Sequence, residues 1–305
     1  MYRGWHQVAF TREFSSDDIF PVTIGDLPLV LVRTPEGIRA FDATCPHRGA
    51  HLGYGGQLDG AAIICPFHGH RITLGSESKS QFLVRGYRTL EIGGLLFVLV
   101  SEHHENGFTD YMNGLAQSYH FVPGFVLTAT VSPEYVIENA FDPDHFKAVH
   151  GVNNRAEIRL RPSEHGELAG ENVFLVNRPN PWQAPTSEEG AVQLRFLARA
   201  FSPTLVATEL GDGQYRHVVI TAATPTPDGN CVIRVSAAVA FGPNGELPNV
   251  DVVRYLLRDS RKAFEQDMVI WEHLVQKAPQ QYTPGDHPVV AYRKFCQRFL
   301  DREKV

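Results

Sequence analysis

Two short loops, each carrying one cysteine and one histidine, constrain this sequence more than any other feature. The first loop contains Cys45 and His47 in a C-x-H pattern. The second contains Cys65 and His68 in a C-x2-H pattern, and seventeen residues separate the two patterns. A proline inside each pattern favours a turn over a helix at both places. Ligand pairs this close together predict one metal site that both loops build jointly.

This ligand set is compatible with two kinds of metal centre. Two thiolates on one iron and two imidazoles on the other make a Rieske [2Fe–2S] centre, whereas two cysteines and two histidines can also hold one structural zinc ion. Zinc fingers usually have a C-x2–4-C pair followed by an H-x3–5-H pair. Here each loop supplies one ligand of each kind. The pattern therefore favours the [2Fe–2S] cluster, and structural zinc is the alternative.

The blocks CPHRGA at 45–50 and CPFHG at 65–69 resemble those of Rieske non-haem iron oxygenases, the terminal oxygenase components of multicomponent systems. The family more often has Trp where this chain has His70, so the resemblance is weaker around the cluster than at its ligands. It implies an α+β fold: an N-terminal all-β Rieske domain, followed by a helix-grip catalytic domain with an antiparallel sheet and a long C-terminal helix.

The pattern along the chain agrees with this organisation. A polar stretch at 101–107 predicts a linker, so we expect a Rieske domain at 1–105 and a catalytic mononuclear iron domain at 106–305. The turn TPEG at 34–37 predicts a hairpin. Further strands are expected at 121–131, 215–224 and 231–241, and a long helix at 251–277.

A second metal site is indicated by Asp142, His145 and His150, which form a D-x2-H-x4-H pattern after Asn139. An open iron site that activates dioxygen has two histidines and one carboxylate on one face. The resemblance implies that the two histidines bind a mononuclear Fe(II), and that Asp142 bridges these ligands to the Rieske histidine of a neighbouring subunit. Two unrelated histidines are the alternative.

Helix geometry adds a prediction that does not depend on the family. Residues five apart on an α-helix differ by about 140° in direction, so His145 and His150 would not face one metal on a regular helix. We therefore predict that Pro143 breaks the helix or that a wide turn separates the two histidines.

Asp267 is the candidate for the carboxylate ligand. It falls in a seven-residue gap of an apolar stripe with helical spacing, whose members are Val253, Leu256, Ser260, Phe264, Trp271 and Leu274. A carboxylate facing a core is costly unless it is paired or binds a metal. The segment QDMVIW at 266–271 also resembles the family's QD-x-x-IW segment, which supplies the carboxylate ligand. A buried salt bridge is the alternative.

Net charge, apolar content and cysteine count indicate which partners and which cell compartment to expect. A net charge of −6 and a pI near 6.2 predict neither nucleic acid nor an anionic membrane as partner. The chain has no run of eighteen apolar residues and no signal-like start, so we expect a cytoplasmic protein. Only Cys231 and Cys296 remain beyond the cluster ligands, and no G-x-G-x-x-G fingerprint occurs. Electrons should therefore come from a separate NAD(P)H-dependent reductase or a ferredoxin.

The resemblance implies a terminal oxygenase that uses O2 as cosubstrate and monooxygenates a hydrophobic compound, steroid-like or aromatic. Residues 285–295 are similar to the tail of ketosteroid hydroxylases and cholesterol desaturases of this family, and a homotrimer is implied in the same way. O- or N-demethylation, ring cis-dihydroxylation by a dioxygenase and, more distantly, an electron carrier without oxygenase activity are the alternatives. Residues 151–250 should line the pocket but carry no signature; His217 either faces the pocket or is structural.

Overall fold

Ten short strands form the N-terminal part of the chain in the computed structural model, which describes residues 2–14, 19–75, 80–154, 157–176, 192–211, 216–276 and 278–300. They are β1 (Trp5–Phe10), β2 (Ile19–Ile24), β3 (Leu27–Thr34), β4 (Gly37–Asp42), β5 (Gln57–Asp59), β6 (Ala62–Ile64), β7 (Arg71–Leu74), β8 (Leu83–Val84), β9 (Gly86–Ile92) and β10 (Leu95–Leu99). Two sheets result, with the strand orders β1-β10-β9-β4-β3-β2 and β5-β6-β7-β8.

The predicted hairpin is present between β3 and β4. Thr34 pairs with Gly37 across the turn, and the hydroxyl of Thr34 donates a hydrogen bond to the carbonyl of Gly37 at 2.9 Å. The strands alternate with the two cysteine–histidine loops: the first loop lies between β4 and β5, and the second connects β6 to β7. The first loop therefore connects the six-stranded sheet to the small sheet, and the second loop connects two strands of the small sheet.

The remaining strands and the longer helices form the C-terminal part. The strands are β11 (Tyr119–Ala129), β12 (Arg159–Arg161), β13 (Leu168–Val176), β14 (Val192–Ser202), β15 (Leu205–Leu210), β16 (His217–Pro225) and β17 (Cys231–Ala240). The helices are α1 (Phe108–Ala116), α2 (Pro133–Glu138), α3 (Pro143–Ala148), α4 (Val250–Trp271) and α5 (His287–Gln297). The strands make one antiparallel sheet in the order β11-β17-β16-β15-β14-β13-β12, and α4 packs against β11 and β17. The predicted fold class is confirmed.

Helix α4 begins as its sequence suggests and ends earlier than expected. The side chain of Asn249 accepts a hydrogen bond from the backbone N–H of Asp251 and caps the first turn. The apolar stripe buries Val253 and Trp271. The predicted end at 277 is wrong, because α4 ends at Trp271. Leu274, the next residue of the stripe, is 38% exposed, so little burial supports another helical turn.

The N-terminal strand β1 joins the two parts of the molecule. Trp5 packs in one hydrophobic cluster with Phe97 of β10 and with Phe201 of β14. The backbone carbonyl of Trp5 accepts hydrogen bonds from the hydroxyls of Ser202 and Thr204, both at 3.0 Å. A buried apolar and hydrogen-bonded contact of this kind couples the two parts. The boundary between residues 105 and 106 stays a prediction. Within the described part of the chain, no helix has the length and apolar character needed to cross a membrane.

Candidate metal centres

The two cysteine–histidine loops have the same backbone form. The N–H of Gly49 donates to the carbonyl of Cys45 at 2.9 Å, and the N–H of Gly69 donates to the carbonyl of Cys65 at 3.0 Å. Each cysteine N–H in turn donates to the carbonyl five residues later, at 2.8 Å in both loops. Both glycines have a positive φ, +76° and +70°, a conformation that other residues adopt at a cost. The two loops therefore present their ligands as a matched pair.

The side chains of these loops fit an iron–sulfur cluster. Cys45 and Cys65 are both 2% exposed and lie close enough for their thiols to interact, and burial raises the pKa of the Cys45 thiol. The rings of His47 and His68 have their centroids 4.8 Å apart. Nδ1 of His47 is buried and has no hydrogen-bond partner. A buried nitrogen without a partner is costly unless a bound group supplies one, and a metal would do so.

His70 is half-buried and packs against the candidate ligand His47. Its ring centroid lies 4.4 Å from that of His47 and 4.8 Å from that of Phe82. On the outer side of the second loop, Phe67 is 61% exposed and His68 is also exposed. The position where the family more often has Trp thus still carries a flat ring, which contacts both the candidate ligand His47 and Phe82.

A second set of ligand atoms converges in the C-terminal domain. Nε2 of His145 lies 3.3 Å from Oδ1 of Asp267, and Nε2 of His150 lies 3.5 Å from the same oxygen. Candidate ligand atoms of all three residues lie within 4.8 Å of one another. Two imidazoles and one carboxylate are the facial ligand set of mononuclear non-haem iron. The three predicted iron ligands are therefore brought together by the fold.

The predicted helix break is what lets the two histidines meet. Asp142 is extended, with φ −97° and ψ 105°, and separates the short helices before and after it. Helix α3 then begins at Pro143 and ends at Ala148, so His150 lies beyond the helix. As a result the rings of His145 and His150 have centroids 4.6 Å apart at an angle of 87°. The prediction of a break at Pro143 or a turn between the histidines is confirmed.

The charge states at this site favour a bound cation over an internal ion pair. Burial lowers the pKa of His145 to about 3, with a smaller contribution from His150, so the imidazole is neutral near pH 7. The 3.3 Å contact between His145 and Asp267 is therefore not an ion pair. Burial also raises the pKa of Asp267 to about 7, although a hydrogen bond from Asn139 opposes this rise. Oδ1 of Asp267 has no hydrogen-bond partner, so a metal ion fits this donor set.

Gln266 sets the tautomer of His150. Nδ1 of His150 lies 3.1 Å from Oε1 of Gln266. An amide oxygen can only accept, so Nδ1 carries the proton and the lone pair of Nε2 faces Asp267. Metal-binding histidines are commonly oriented by such a contact from their other nitrogen.

Asp142, the predicted bridging carboxylate, is half-buried next to the iron-ligand set. One of its oxygens, Oδ1, accepts hydrogen bonds from the backbone N–H groups of Asp144 and His145, at 3.1 and 3.2 Å. It thus caps α3 and contacts the candidate ligand His145 through the backbone. Its other oxygen takes part in neither bond. Burial raises the pKa of Asp142, and the carboxylates of Asp286 and Asp144 add to the rise, while the two backbone N–H groups oppose it.

The three iron-ligand candidates lie at one end of a cavity of about 390 Å³ between the large sheet and α4. Phe146, Phe174 and Phe196 form one wall, with ring centroids 4.6 to 5.2 Å apart. His217 also lies on the cavity wall, so it faces the pocket. A mainly apolar cavity with a few polar groups on its wall is typical of a small-molecule site.

Comparison with known proteins agrees with this geometry. Residues 4–81 match the model of the Rieske [2Fe-2S] domain, and residues 100–300 match that of the 3-ketosteroid 9alpha-hydroxylase C-terminal domain. The second match covers more than half of the chain. The chain belongs to the Rieske non-haem iron oxygenase family. Its predicted cofactors, a [2Fe–2S] cluster and a mononuclear iron, and its class of enzyme are thereby confirmed, whereas the role of each site residue stays a prediction.

Individual relatives of this Rieske oxygenase are distant. The chain is 24% identical to cholesterol 7-desaturase of Bombyx mori, over 99% of this chain and 70% of that protein. It is 23% identical to the oxygenase component of 3-ketosteroid-9-alpha-monooxygenase of Mycolicibacterium smegmatis, over 97% of this chain and 82% of that protein. A crystal structure of dicamba monooxygenase with non-haem iron and dicamba has a TM-score of 0.69, with 18% identity, 97% of this chain and 96% of that chain covered.

Sequence reasoning missed some of the residues that contact the iron-ligand candidates or line the cavity of the oxygenase. Gln266 was visible only as the neighbour of Asp267, because its contact with His150 crosses 116 residues. Tyr255, Asp259 and Ser260 also line the cavity. A sequence signal for them exists: they are polar residues of α4 at helical spacing from Asp267, on or near its apolar stripe.

Proposed function

We propose that this chain is the terminal oxygenase of a multicomponent Rieske system that monooxygenates a hydrophobic organic substrate. The observation that carries the proposal is the convergence of Nε2 of His145, Nε2 of His150 and Oδ1 of Asp267 at one end of an apolar cavity. The relatives named above include an oxygenase component of a ketosteroid monooxygenase and a cholesterol desaturase. A steroid-like or aromatic compound is the substrate class that fits such a cavity best.

The candidate site residues form two groups: one would bind the metals, and the other would bind the substrate. Cys45, Cys65, His47 and His68 would hold the cluster, and His145, His150 and Asp267 would hold the iron. When bound, the cluster supplies single electrons and the iron activates dioxygen. Gln266 keeps the proton of His150 on Nδ1, and Asn139 donates a hydrogen bond that keeps Asp267 oriented.

The remaining cavity residues exclude water and orient the substrate. Phe146, Phe174 and Phe196 present their rings to the cavity, and burying an apolar molecule against them is favourable by about 25 cal/mol per Å² of apolar surface. No hydrogen-bond donor is offered by these rings. A hydrophobic substrate would therefore be held by shape, with its position relative to His145 set by this wall.

We also propose a homotrimer in which Asp142 connects neighbouring subunits. One oxygen of Asp142 is engaged with the backbone of His145, and the other is available to accept a hydrogen bond from His47 or His68 of the next subunit. In this arrangement the exposed His68 and the half-buried Asp142 would become buried together. Light scattering coupled to size-exclusion chromatography should give three times the mass of the 34.0 kDa chain; a monomer would contradict this assembly.

The electron donor is expected to be a separate cytoplasmic protein, an NAD(P)H-dependent reductase or a ferredoxin. Within the sequence no dinucleotide fingerprint and no cysteines for a second all-cysteine cluster occur.

Metal analysis with electron paramagnetic resonance of anaerobically purified, dithionite-reduced protein tests the function. We expect about three irons per chain, two in the cluster and one mononuclear, together with a Rieske-type signal. Asp267→Ala should lose the mononuclear iron and keep the cluster signal. Glu265→Ala is the matched control, because Glu265 lies on the same helix, is exposed and pairs only with Arg261 among the contacts described.

Other outcomes identify the other classes. About two irons per chain with a Rieske signal would indicate an electron carrier. Zinc without iron would indicate a structural zinc site at the two loops. An Asp267→Ala protein with unchanged iron content would show that Asp267 is not a ligand.

A further inference from the structure

A second cavity lies next to the cavity that holds the iron-ligand candidates, and the two share wall residues. This outer cavity has a volume of about 380 Å³. His217 and Leu256 line both cavities. Leu247, on the rim of the outer cavity, is 68% exposed. The outer cavity therefore reaches solvent at Leu247 and adjoins the inner cavity at His217 and Leu256, which form the partition between the two spaces.

The position of the partition follows from the regular geometry of α4. Leu256 precedes Asp267 by eleven residues on the same helix, so it lies about 16 Å away along the helix axis. Val252, which lines only the outer cavity, lies about 6 Å further along. A molecule that reacts beside Asp267 must be about 15 Å long or more before it enters the outer cavity.

The sheet defines the opposite side of the partition. Side chains alternate along a strand, and His217, Val219 and Thr221 of β16 all face the inner cavity. His217 is the first residue of β16 and pairs with Val239 of β17. Val239 lines the outer cavity. The inner cavity thus ends where β16 begins, at His217.

The two cavities carry different ionisable side chains: the carboxyl groups of Asp259 and Asp267 line the inner cavity, and Arg216 lines the outer one. The outer cavity is lined mainly by apolar side chains, among them Val239, Phe241 and Val252. Arg216 lies on its wall and is exposed. Among the lining residues that the structure describes, Arg216 alone is charged at every pH near neutrality. An apolar chain with an anionic group at its outer end matches this combination.

We propose that the outer cavity binds the tail of an elongated apolar substrate that ends in a carboxylate, and that His217 and Leu256 line the passage to the iron end. The inner cavity alone is near the lower limit of ligand sites, which are about 300 to 1,000 Å³, and the outer cavity doubles the space. The apolar end of the molecule lies beside His145 and Asp267, and its carboxylate lies at Arg216. The inference rests on the proposed function in calling this molecule a substrate.

Titration calorimetry of the iron-loaded protein with straight-chain carboxylic acids, from octanoate to octadecanoate, tests the inference. Affinity should rise about fourfold for each methylene that becomes buried. The methyl esters should bind more weakly than the acids of equal length. Arg216→Gln should lower the affinity of the acids up to about fivefold, the range of an exposed ion pair, and leave the esters unchanged. Arg258→Gln is the control, since Arg258 is an exposed arginine of α4 that lines neither cavity.

Leu256 tests the passage itself. Leu256→Trp should stop the gain in affinity at the chain length that reaches the partition, whereas Leu256→Ala should let the gain continue to longer acids. Leu256→Ala and Arg216→Gln keep the test decisive if the tryptophan variant does not fold. The inference is overturned if affinity in the unaltered protein does not depend on chain length, or if Arg216→Gln and Arg258→Gln affect acids equally.

Iron analysis on the same samples separates this inference from the proposed function. About three irons per chain with no dependence on chain length would overturn the outer binding site and leave the oxygenase intact. Length-dependent binding that also requires Arg216, in a protein that never holds mononuclear iron, would refute the oxygenase and leave the binding site.

Discussion

The cluster loops and the iron-ligand set are built in opposite ways. The candidate ligands of the cluster come from two loops, one before β5 and one between β6 and β7, and their cysteines are held by the same backbone hydrogen bonds. The iron-ligand candidates come from α3, the turn after it and α4, and the contact between His150 and Gln266 crosses 116 residues. The first site depends on local turns, and the second depends on the packing of the whole C-terminal domain.

The two sites also differ in their exposure to solvent. The cluster loops expose His68 and Phe67 at the surface of the chain, where another protein, either a neighbouring subunit or an electron donor, can approach. Asp267 is 5% exposed and faces a cavity, where only a small molecule can enter. A site for exchanging electrons between proteins needs an accessible edge, whereas a site for oxygen chemistry needs water excluded. We therefore expect that the cluster and the mononuclear iron can be lost separately.

The largest effect is expected from Cys45→Ser, which should abolish the cluster and keep the mononuclear iron. A serine oxygen does not replace the thiolate that the cluster requires, while His145, His150 and Asp267 belong to other elements. Visible absorption should lose the cluster bands, and metal analysis should give about one iron per chain. Cys231→Ser is the control, because Cys231 is buried in β17 away from the loops. Loss of all iron would show that the mononuclear iron site depends on the cluster.

A second prediction concerns the strand that joins the two regions. His6 of β1 is fully buried, and its ring nitrogens lie 3.0 Å from the carbonyl of Tyr2 and 3.2 Å from the hydroxyl of Thr204. Burial lowers its pKa to about 4; the hydrogen bond to Tyr2 opposes this, and the charge of the N-terminus adds slightly to it. The unfolded chain therefore binds a proton that the folded chain rejects between pH 6.5 and 4.

His6 thus contributes stability that is fully present above pH 6.5 and is lost as the pH falls towards 4, up to about 3 kcal/mol. His6→Gln should flatten the fall of the thermal midpoint over this pH range, measured by scanning fluorimetry. His103→Gln, at an exposed histidine, should leave the curve unchanged. If cluster absorbance and protein fluorescence are lost at different temperatures at pH 5, the two regions unfold separately and β1 does not couple them.

The difference between local and long-range contacts also explains which features could be predicted from the sequence. The four candidate cluster ligands, the hairpin at 34–37 and the position of Asp267 on the buried face of α4 could be predicted from spacing, turn residues and periodicity, since each depends on neighbours in sequence. The end of α4 at Trp271 did not, because it depends on how much of Leu274 the tertiary structure buries. The partner of His150 and the position of His217 between two cavities also depend on contacts that no local pattern encodes.

A third prediction tests the distributed site through Gln266. Gln266→Leu removes the acceptor that holds the proton of His150 on Nδ1, so the imidazole can adopt the wrong tautomer. Loss of such a contact commonly weakens metal affinity by about 10- to 100-fold. Competition with a chelator should show this loss for the mononuclear iron, with the cluster absorbance unchanged. Gln266→Glu restores an acceptor and should recover affinity; equal losses in both variants would mean that Gln266 acts only through packing.

The smallest effect compares one glycine from each region. Gly69 in the second cluster loop and Gly151 after His150 have φ values of +70° and +66°, and a Cβ at either position would meet nothing within 4 Å. An alanine there costs only backbone strain, about 1 kcal/mol. Gly69→Ala should therefore speed the thermal loss of cluster absorbance and leave iron affinity unchanged, and Gly151→Ala should do the reverse. Gly114→Ala in α1, where a Cβ also has space, should stabilise slightly. If Gly69→Ala weakened iron binding as much as Gly151→Ala, strain in the cluster loop would also destabilise the iron site. The two sites would then not be independent of each other.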